Sequence, residues 1–247
     1  MSGHNKWSTI KHKKGAADAK RSKIFSKLVK EIQVAVKEGG PDPDHNARLR
    51  LVIQNAKGVS MPKDNIERAV KGGDKDANSY FESTFEGYLP NAVAVFIECT
   101  TNNQQRTVSN IRSLFNKFNG NMGTNGSLSF MFDRKGVFTI PKENFKGEEH
   151  ELELIDAGAE DISEEDDYII VTTAMDDFGQ IQKKLEELEI VVENASLQRI
   201  PKEYKVLGKE ETKKIMKALD FFEEDDDVQN VYHNLDIPDE LLDEMEE

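Results

Sequence analysis

Val137-Phe138-Thr139-Ile140 and Tyr168-Ile169-Ile170-Val171-Thr172-Thr173 frame the stretch whose reading decides the fold. Both are short runs rich in β-branched and aromatic residues, the composition and length of strands with a buried face. Between them, residues 148–157 carry helical spacing and residues 160–162 give a further short strand. A helix over 177–188 and a strand over 190–198 follow. The order βαββαβ across residues 137–206 is the ferredoxin-like plan.

Outward from this unit the pattern stays α/β on both sides. Residues 81–88 and 92–100 read as strands joined by a turn at Leu89-Pro90-Asn91, and 104–118 as a helix. Its Val108, Ile111, Leu114, Phe115 and Phe118 share one face. The Gly/Asn-rich residues 119–127 read as a loop, and Leu128, Phe130 and Phe132 alternate as a strand. Asp133-Arg134-Lys135-Gly136 reads as a turn. A helix over 210–222 and a strand over 228–231 supply the parts to complete this second domain, making it discontinuous, 76–136 plus 207–247.

The first 75 residues differ from the rest. Residues 1–15 form an extended arm, and residues 16–38 a helix with Ile24, Phe25, Leu28, Val29, Ile32, Ala35 and Val36 on one side. Gly39-Gly40-Pro41 stops it. A second helix over 45–57 takes Asp44 as its N-cap, and a third opens at Met61-Pro62 and closes at Gly72-Gly73. None of the three buries its apolar stripe alone, so they form a small bundle. The expected class is therefore α+β, a three-helix domain with a basic arm followed by two α/β domains.

Charge separates along the same lines. The 247 residues carry a net charge of −14, yet residues 1–75 hold 17 Lys+Arg against 8 Asp+Glu, and residues 143–247 hold 10 against 34. A segregated charge presents a cationic end to a polyanion in spite of the acidic total. The longest apolar run, residues 92–97, is far short of the ~20 residues of a membrane span. The N-terminus has no apolar segment behind its charges, which predicts no secretory signal and a cytoplasmic protein. Cys99 is the only cysteine, which excludes an internal disulfide and a cysteine zinc cluster.

No catalytic constellation is present: no phosphate-binding GxxxxGK[ST], no HExxH, no GxSxG. The five histidines are scattered, so no metal site, no cofactor and no small-molecule substrate are expected. The sharp signal is the arm, Lys6-Trp7-Ser8-Thr9-Ile10-Lys11-His12-Lys13-Lys14, where cations for phosphates interleave with an aromatic stacking face. Lys20, Arg21, Lys23, Lys27 and Lys30 extend that field along the first helix. The lysines of this row lie roughly 150° from the apolar centre of the wheel. Arg48 and Arg50 on the second helix and Lys63 and Arg68 on the third complete the candidate nucleic-acid-binding set. The second and third helices have two readings: a helix-turn-helix, which would place Lys63, Asn65 and Arg68 near a major groove, and the commoner plain three-helix bundle, in which the same turn is purely structural.

Ser2-Gly3-His4-Asn5-Lys6-Trp7, Asp18-Ala19-Lys20-Arg21, Asn46-Ala47-Arg48-Leu49-Arg50 and Met61-Pro62-Lys63-Asp64-Asn65-Ile66-Glu67-Arg68 resemble the YebC/PmpR family. So do Glu86-Gly87-Tyr88, Ser129-Phe130-Met131-Phe132-Asp133-Arg134-Lys135-Gly136 and Asp226-Asp227-Val228-Gln229-Asn230-Val231-Tyr232. The stretches at 89–92 and 101–106 depart from the family pattern, although Arg106 is retained. The resemblance implies a three-domain protein with no enzymatic activity, a DNA-binding transcriptional regulator. It also implies an alternative, a ribosome-associated translation factor that sits on ribosomal RNA and helps synthesis of difficult stretches such as proline runs. A third reading, a small-ligand sensor or enzyme built on the ferredoxin-like domain, requires a pocket with convergent polar groups.

Overall fold

The computed structural model describes residues 18–75 and 80–238. Its first helix, α1 (Asp18–Gly39), packs against α2 (Ala47–Gly58) and α3 (Lys63–Lys75). Ile32, Ala35, Val36, Leu49, Val52, Met61, Ile66 and Ala69 form their shared core. The connection is set by Asn46, which caps α2 in place of the expected Asp44. Its Oδ1 accepts from the Leu49 amide at 3.0 Å while its Nδ2 donates to the Ala35 and Gly40 carbonyls at 2.7 and 2.8 Å. An asparagine has both a donor and an acceptor, so one buried side chain ends α1 and starts α2; Asp44 has only acceptors. Gly72 and Gly73 do not close α3, which continues to Lys75. A Cβ on Gly73 would lie 2.9 Å from Cβ of Val36, so this glycine lets α3 lie close on α1.

The second part is a four-stranded sheet with two helices. The hairpin β1 (Phe81–Leu89) and β2 (Val93–Thr101) is followed by α4 (Gln104–Lys117) and the short β3 (Asn121–Met122). β3 pairs with β1 within the expected loop, and a Cβ on Gly87 would lie 2.5 Å from the Asn121 carbonyl oxygen. The next segment departs from the expected strand: Ser129–Met131 is a 3-10 turn with Leu128 buried and Phe130 68% exposed. Asp133-Arg134-Lys135-Gly136 is no turn but the first half of β4 (Phe132–Pro141). Two ladders hold it extended, one to the last strand of the ferredoxin-like unit and one, from Lys135 onward, to the central strand beside it.

The ferredoxin-like unit continues with α5 (Glu148–Asp156), β5 (Ala159–Glu165), β6 (Tyr168–Ala174), α6 (Phe178–Glu187) and β7 (Asn194–Pro201). Its sheet order is β5-β6-β4-β7 with every neighbouring pair antiparallel, the arrangement the βαββαβ order produces. Phe138, Ile140, Ile169, Val171 and Ala195 of the sheet meet Leu154, Ile181 and Leu185 of the two helices. The chain then makes β8 (Lys205–Val206), α7 (Lys209–Glu224), β9 (Val228–His233) and β10 (Leu235–Asp236). β9 pairs antiparallel with β2, giving the order β3-β1-β2-β9, and α7 packs Ile215, Leu219 and Phe222 against Phe115 and Ile111 of α4. The class is α+β, with one α/β part contiguous and one assembled from distant segments.

α2 also joins the helical part to β7. The Asn55 side chain exchanges two hydrogen bonds of 2.9 Å with the backbone of Ala195, and Leu51 packs on the ferredoxin-like core. Gly58 lies so close to β7's leading loop that a Cβ there would sit 1.9 Å from the Glu193 carbonyl oxygen.

Candidate nucleic-acid interface

Lys6, Trp7, Lys11, His12, Lys13 and Lys14 lie outside the described residues, as does the side chain of Lys20. The rest of the expected set divides. Lys23, Lys27 and Lys30 recur at i, i+4 and i+7 and face one direction from α1, as the wheel predicts. That direction is not solvent. Nζ of Lys23 donates to the Glu224 carbonyl, and Nζ of Lys27 reaches the Glu223 and Gln229 carbonyls at 3.4 and 3.3 Å. Nζ of Lys30 donates to the Asp226 carbonyl at 2.6 Å and lies 3.4 Å from Oδ1 of Asp227. The final carbonyls of a helix have no partner within it and carry the negative end of its dipole, so Lys23 and Lys27 at the end of α7 satisfy both needs, while Lys30 holds the turn just beyond it.

Asp227 is the hub of this contact. Its buried carboxylate accepts from Nε and Nη2 of Arg106 at 3.2 and 2.8 Å and from the Thr107 hydroxyl at 2.9 Å. Burial alone would lift the Asp227 carboxyl above the ordinary value of 3.8. The bonds from Arg106 and Thr107 and the Lys30 charge outweigh it and hold the group lower.

Arg48 is likewise engaged within the chain, in a half-exposed ion pair. It pairs with Glu38 at 2.7 Å and with Glu82 at the start of β1, tying the helical part to the first sheet. Arg21 lies exposed with its guanidinium 5.8 Å from the centre of the Phe25 ring. Arg50, Lys63 and Arg68 stand on the solvent faces of α2 and α3. Their links are local and exposed: Arg50 to the Pro43 carbonyl, Lys63 to Glu67, and Arg68 to the Asp64 carbonyl and Asn65. Lys57 and Lys71, which the sequence reading missed, lie exposed one or two turns further along the same helices. Their spacing from Arg50 (i+7) and Arg68 (i+3) is the signal that finds them. Arg50, Lys57, Lys63, Arg68 and Lys71 form an exposed cationic set interrupted by Asp64 and Glu67.

The Gly-rich loop after α4 offers no phosphate cradle of its own. The amides of Gly126 and Leu128 donate to the two carboxylate oxygens of buried Glu86, the first at 2.7 Å, and the Gly123 amide to the Glu86 carbonyl at 2.7 Å. Burial, with Asp225 and Asp227 adding, pushes the Cys99 thiol up to about 12, which leaves it protonated and unreactive at neutral pH. Among the described residues, no group of three or more His, Cys, Asp or Glu is placed to hold a metal ion, and no helix is long and apolar enough to cross a membrane.

Comparison with known proteins covers almost the whole chain. Residues 5–76 match the TACO1/YebC protein N-terminal domain, and residues 80–235 match the TACO1/YebC second and third domain. A probable transcriptional regulatory protein of Geotalea uraniireducens is 51% identical, over 99% of this chain and 100% of its own length. One from Amoebophilus asiaticus is 48% identical over 95% of this chain and 98% of its own. A conserved hypothetical protein of Aquifex aeolicus, known from a crystal structure, superposes with a TM-score of 0.83. It is 39% identical and covers 91% of this chain and 94% of its own. On these matches the chain belongs to the TACO1/YebC family, whose curated relatives carry a regulatory name.

Proposed function

We propose that the chain is a non-enzymatic, cytoplasmic regulator of transcription that holds DNA through residues 1–75. The observation that carries this reading is the exposed set Arg50, Lys57, Lys63, Arg68 and Lys71, on the one part of the chain with a net positive charge. The basic arm with Trp7 precedes it in sequence and adds five cations before residue 20, Lys6, Lys11, Lys13 and Lys14 with His12 when protonated. Lysines act as point charges that hold backbone rather than read bases, so the grip is largely independent of sequence. Residues 76–136 with 207–247, and residues 137–206, are two acidic domains whose negative charge keeps the nucleic acid on the helical part. The name shared by the relatives agrees with this reading.

A titration of labelled duplex DNA tests it. With about five phosphates neutralised, log affinity falls against log salt with a slope near −4.5. A slope near zero overturns the reading. Replacing Lys11, Lys13 and Lys14 by Gln weakens binding to every duplex alike, and unchanged affinity moves the contact away from the arm. Ribosomal RNA presents the same phosphates, and cosedimentation with ribosomes that depends on residues 1–30 distinguishes that target from DNA.

A further inference from the structure

Three large apolar side chains stand in water around the short strand β8 and the loop before β4. Val206 is 71% exposed, Phe130 68% and Tyr88 of β1 37%. Val206 and Tyr88 share a face. Leu207, Leu235 and Ile237 turn into the core beneath α4 and α7, so Val206 and its neighbour Asp236 turn the other way. Tyr88 sits opposite Ala94, which belongs to the cluster of Phe96, Leu128 and Phe132 on that same second face. The Tyr88 hydroxyl donates to Sδ of Met131 at 3.6 Å, one residue from Phe130.

One segment joins these positions. The Lys202 amide donates to the Met131 carbonyl at 2.9 Å, and the Lys205 amide to the Asn234 carbonyl at 2.7 Å. Asn234 in turn accepts from the Ala94 amide at 2.8 Å through its Oδ1. The last described residues leave from the same place: Asp236 pairs with Val206, and Pro238, exposed, is two residues further on.

Residues 239–247, Asp239-Glu240-Leu241-Leu242-Asp243-Glu244-Met245-Glu246-Glu247, lie outside the described residues. At about 100° per residue, Leu241, Leu242 and Met245 fall within an arc of about 100°, and all six carboxylates lie outside it. An acidic tail that only solvates needs no such separation, and a helix this short is marginal in water without a surface to lie on. Pro238 and the acids at 239 and 240 suit a helical first turn. Nine residues span about 13 Å as a helix. Tyr88 lies two strands, about 10 Å, from Asn234, so the length fits the patch. We propose that residues 239–247 fold back as this helix onto their own chain and lay Leu241, Leu242 and Met245 over Val206, Tyr88 and Phe130. The same chain is the occupant because its tether starts beside Val206 and holds the helix at an effective concentration that a second copy does not reach.

The full chain carrying Val206→Cys and Leu242→Cys tests it, because Cys99 is buried and protonated and leaves the new pair alone to react. Under mild oxidation the pair closes within one chain at a rate independent of protein concentration. Adding Leu241→Asp and Met245→Asp slows closure about tenfold, because the tail then meets Val206 only by chance. Equal rates in the two chains overturn the proposal. Linked dimers whose share grows with protein concentration overturn the assignment to the same chain and give the face to a second copy. Hydrogen exchange on the chain without added cysteines supplies an independent reading. The amides of residues 242–247, bonded within the docked helix, exchange about tenfold slower than in the double variant Val206→Asp, Phe130→Ser, which alters nothing in the tail. Exchange at the rate of an unfolded segment in the unaltered chain overturns the proposal, as does protection that the double variant leaves untouched.

Discussion

The cations of the helical part fall into two groups of similar composition and opposite use. Lys23, Lys27 and Lys30 on α1 are laid across the carbonyl end of α7 and the turn that follows it, where they join the first part of the chain to the last. Arg50, Lys57, Lys63, Arg68 and Lys71 on α2 and α3 face solvent, with only short local links. The difference is one of what stands opposite. A row of lysines at helical spacing is equally suited to a polyanion and to the exposed carbonyls of another helix's last turn, because both offer oxygen acceptors and negative potential. Only the placement of α7 decides between them.

That contrast can be broken from either side. The largest expected effect is at Asp227, where removing the charge leaves Arg106 and Lys30 without their buried partner. Asp227→Asn lowers the free energy of unfolding by about 3 kcal/mol in a urea titration. Because the folded carboxyl is held below 3.8, its contribution is complete above about pH 4 and is lost as the pH falls through the lowered value. The pH profile of stability in Asp227→Asn is accordingly flatter on the acid side than in the unaltered chain. Next comes the double replacement of Lys27 and Lys30 by Gln, which costs about 1.5 kcal/mol of stability through lost charged hydrogen bonds. It leaves the salt slope of duplex DNA binding unchanged, and a changed slope would put the α1 row back among the phosphate contacts. The smallest effect on stability belongs to the outward set. Replacing Arg50, Lys63 and Arg68 by Gln moves stability by less than about 0.5 kcal/mol. The same triple change flattens the salt slope by about 3, one for each cation removed.

The ferredoxin-like unit was the part most legible in the sequence. Phe138, Ile140, Ile169 and Val171 alternate with the period of a strand, and Ile181 and Leu185 sit one helical turn apart, so local spacing alone implied both the elements and their order. What escaped that reading depends on partners distant in the chain. Asp133-Arg134-Lys135-Gly136 has the composition of a turn, and it is held extended only because strands from residues 168–174 and 194–201 flank it. Asn46 displaced Asp44 as a cap because α1 and α2 meet there, a fact that no window around residue 45 contains. Gly73 reads as a helix stop and serves instead as a close contact of α3 with Gln33 and Val36 of α1. The candidate interface followed the same rule. Cationic spacing was visible on α1, α2 and α3, but which spacing meets water is set by α7, nearly 200 residues away in the chain.

The paired hydrogen bonds between the Asn55 amide and the backbone of Ala195 have a protective side. β7 is the outermost strand of its sheet, and an outermost strand is a template for unwanted association with another chain. The Asn55 carboxamide imitates the peptide group a neighbouring strand would bring, and the bulk of α2 stands where such a strand would lie. The helical part thus covers the stretch of β7 around Ala195, so this outer edge of the sheet is not offered bare to another strand.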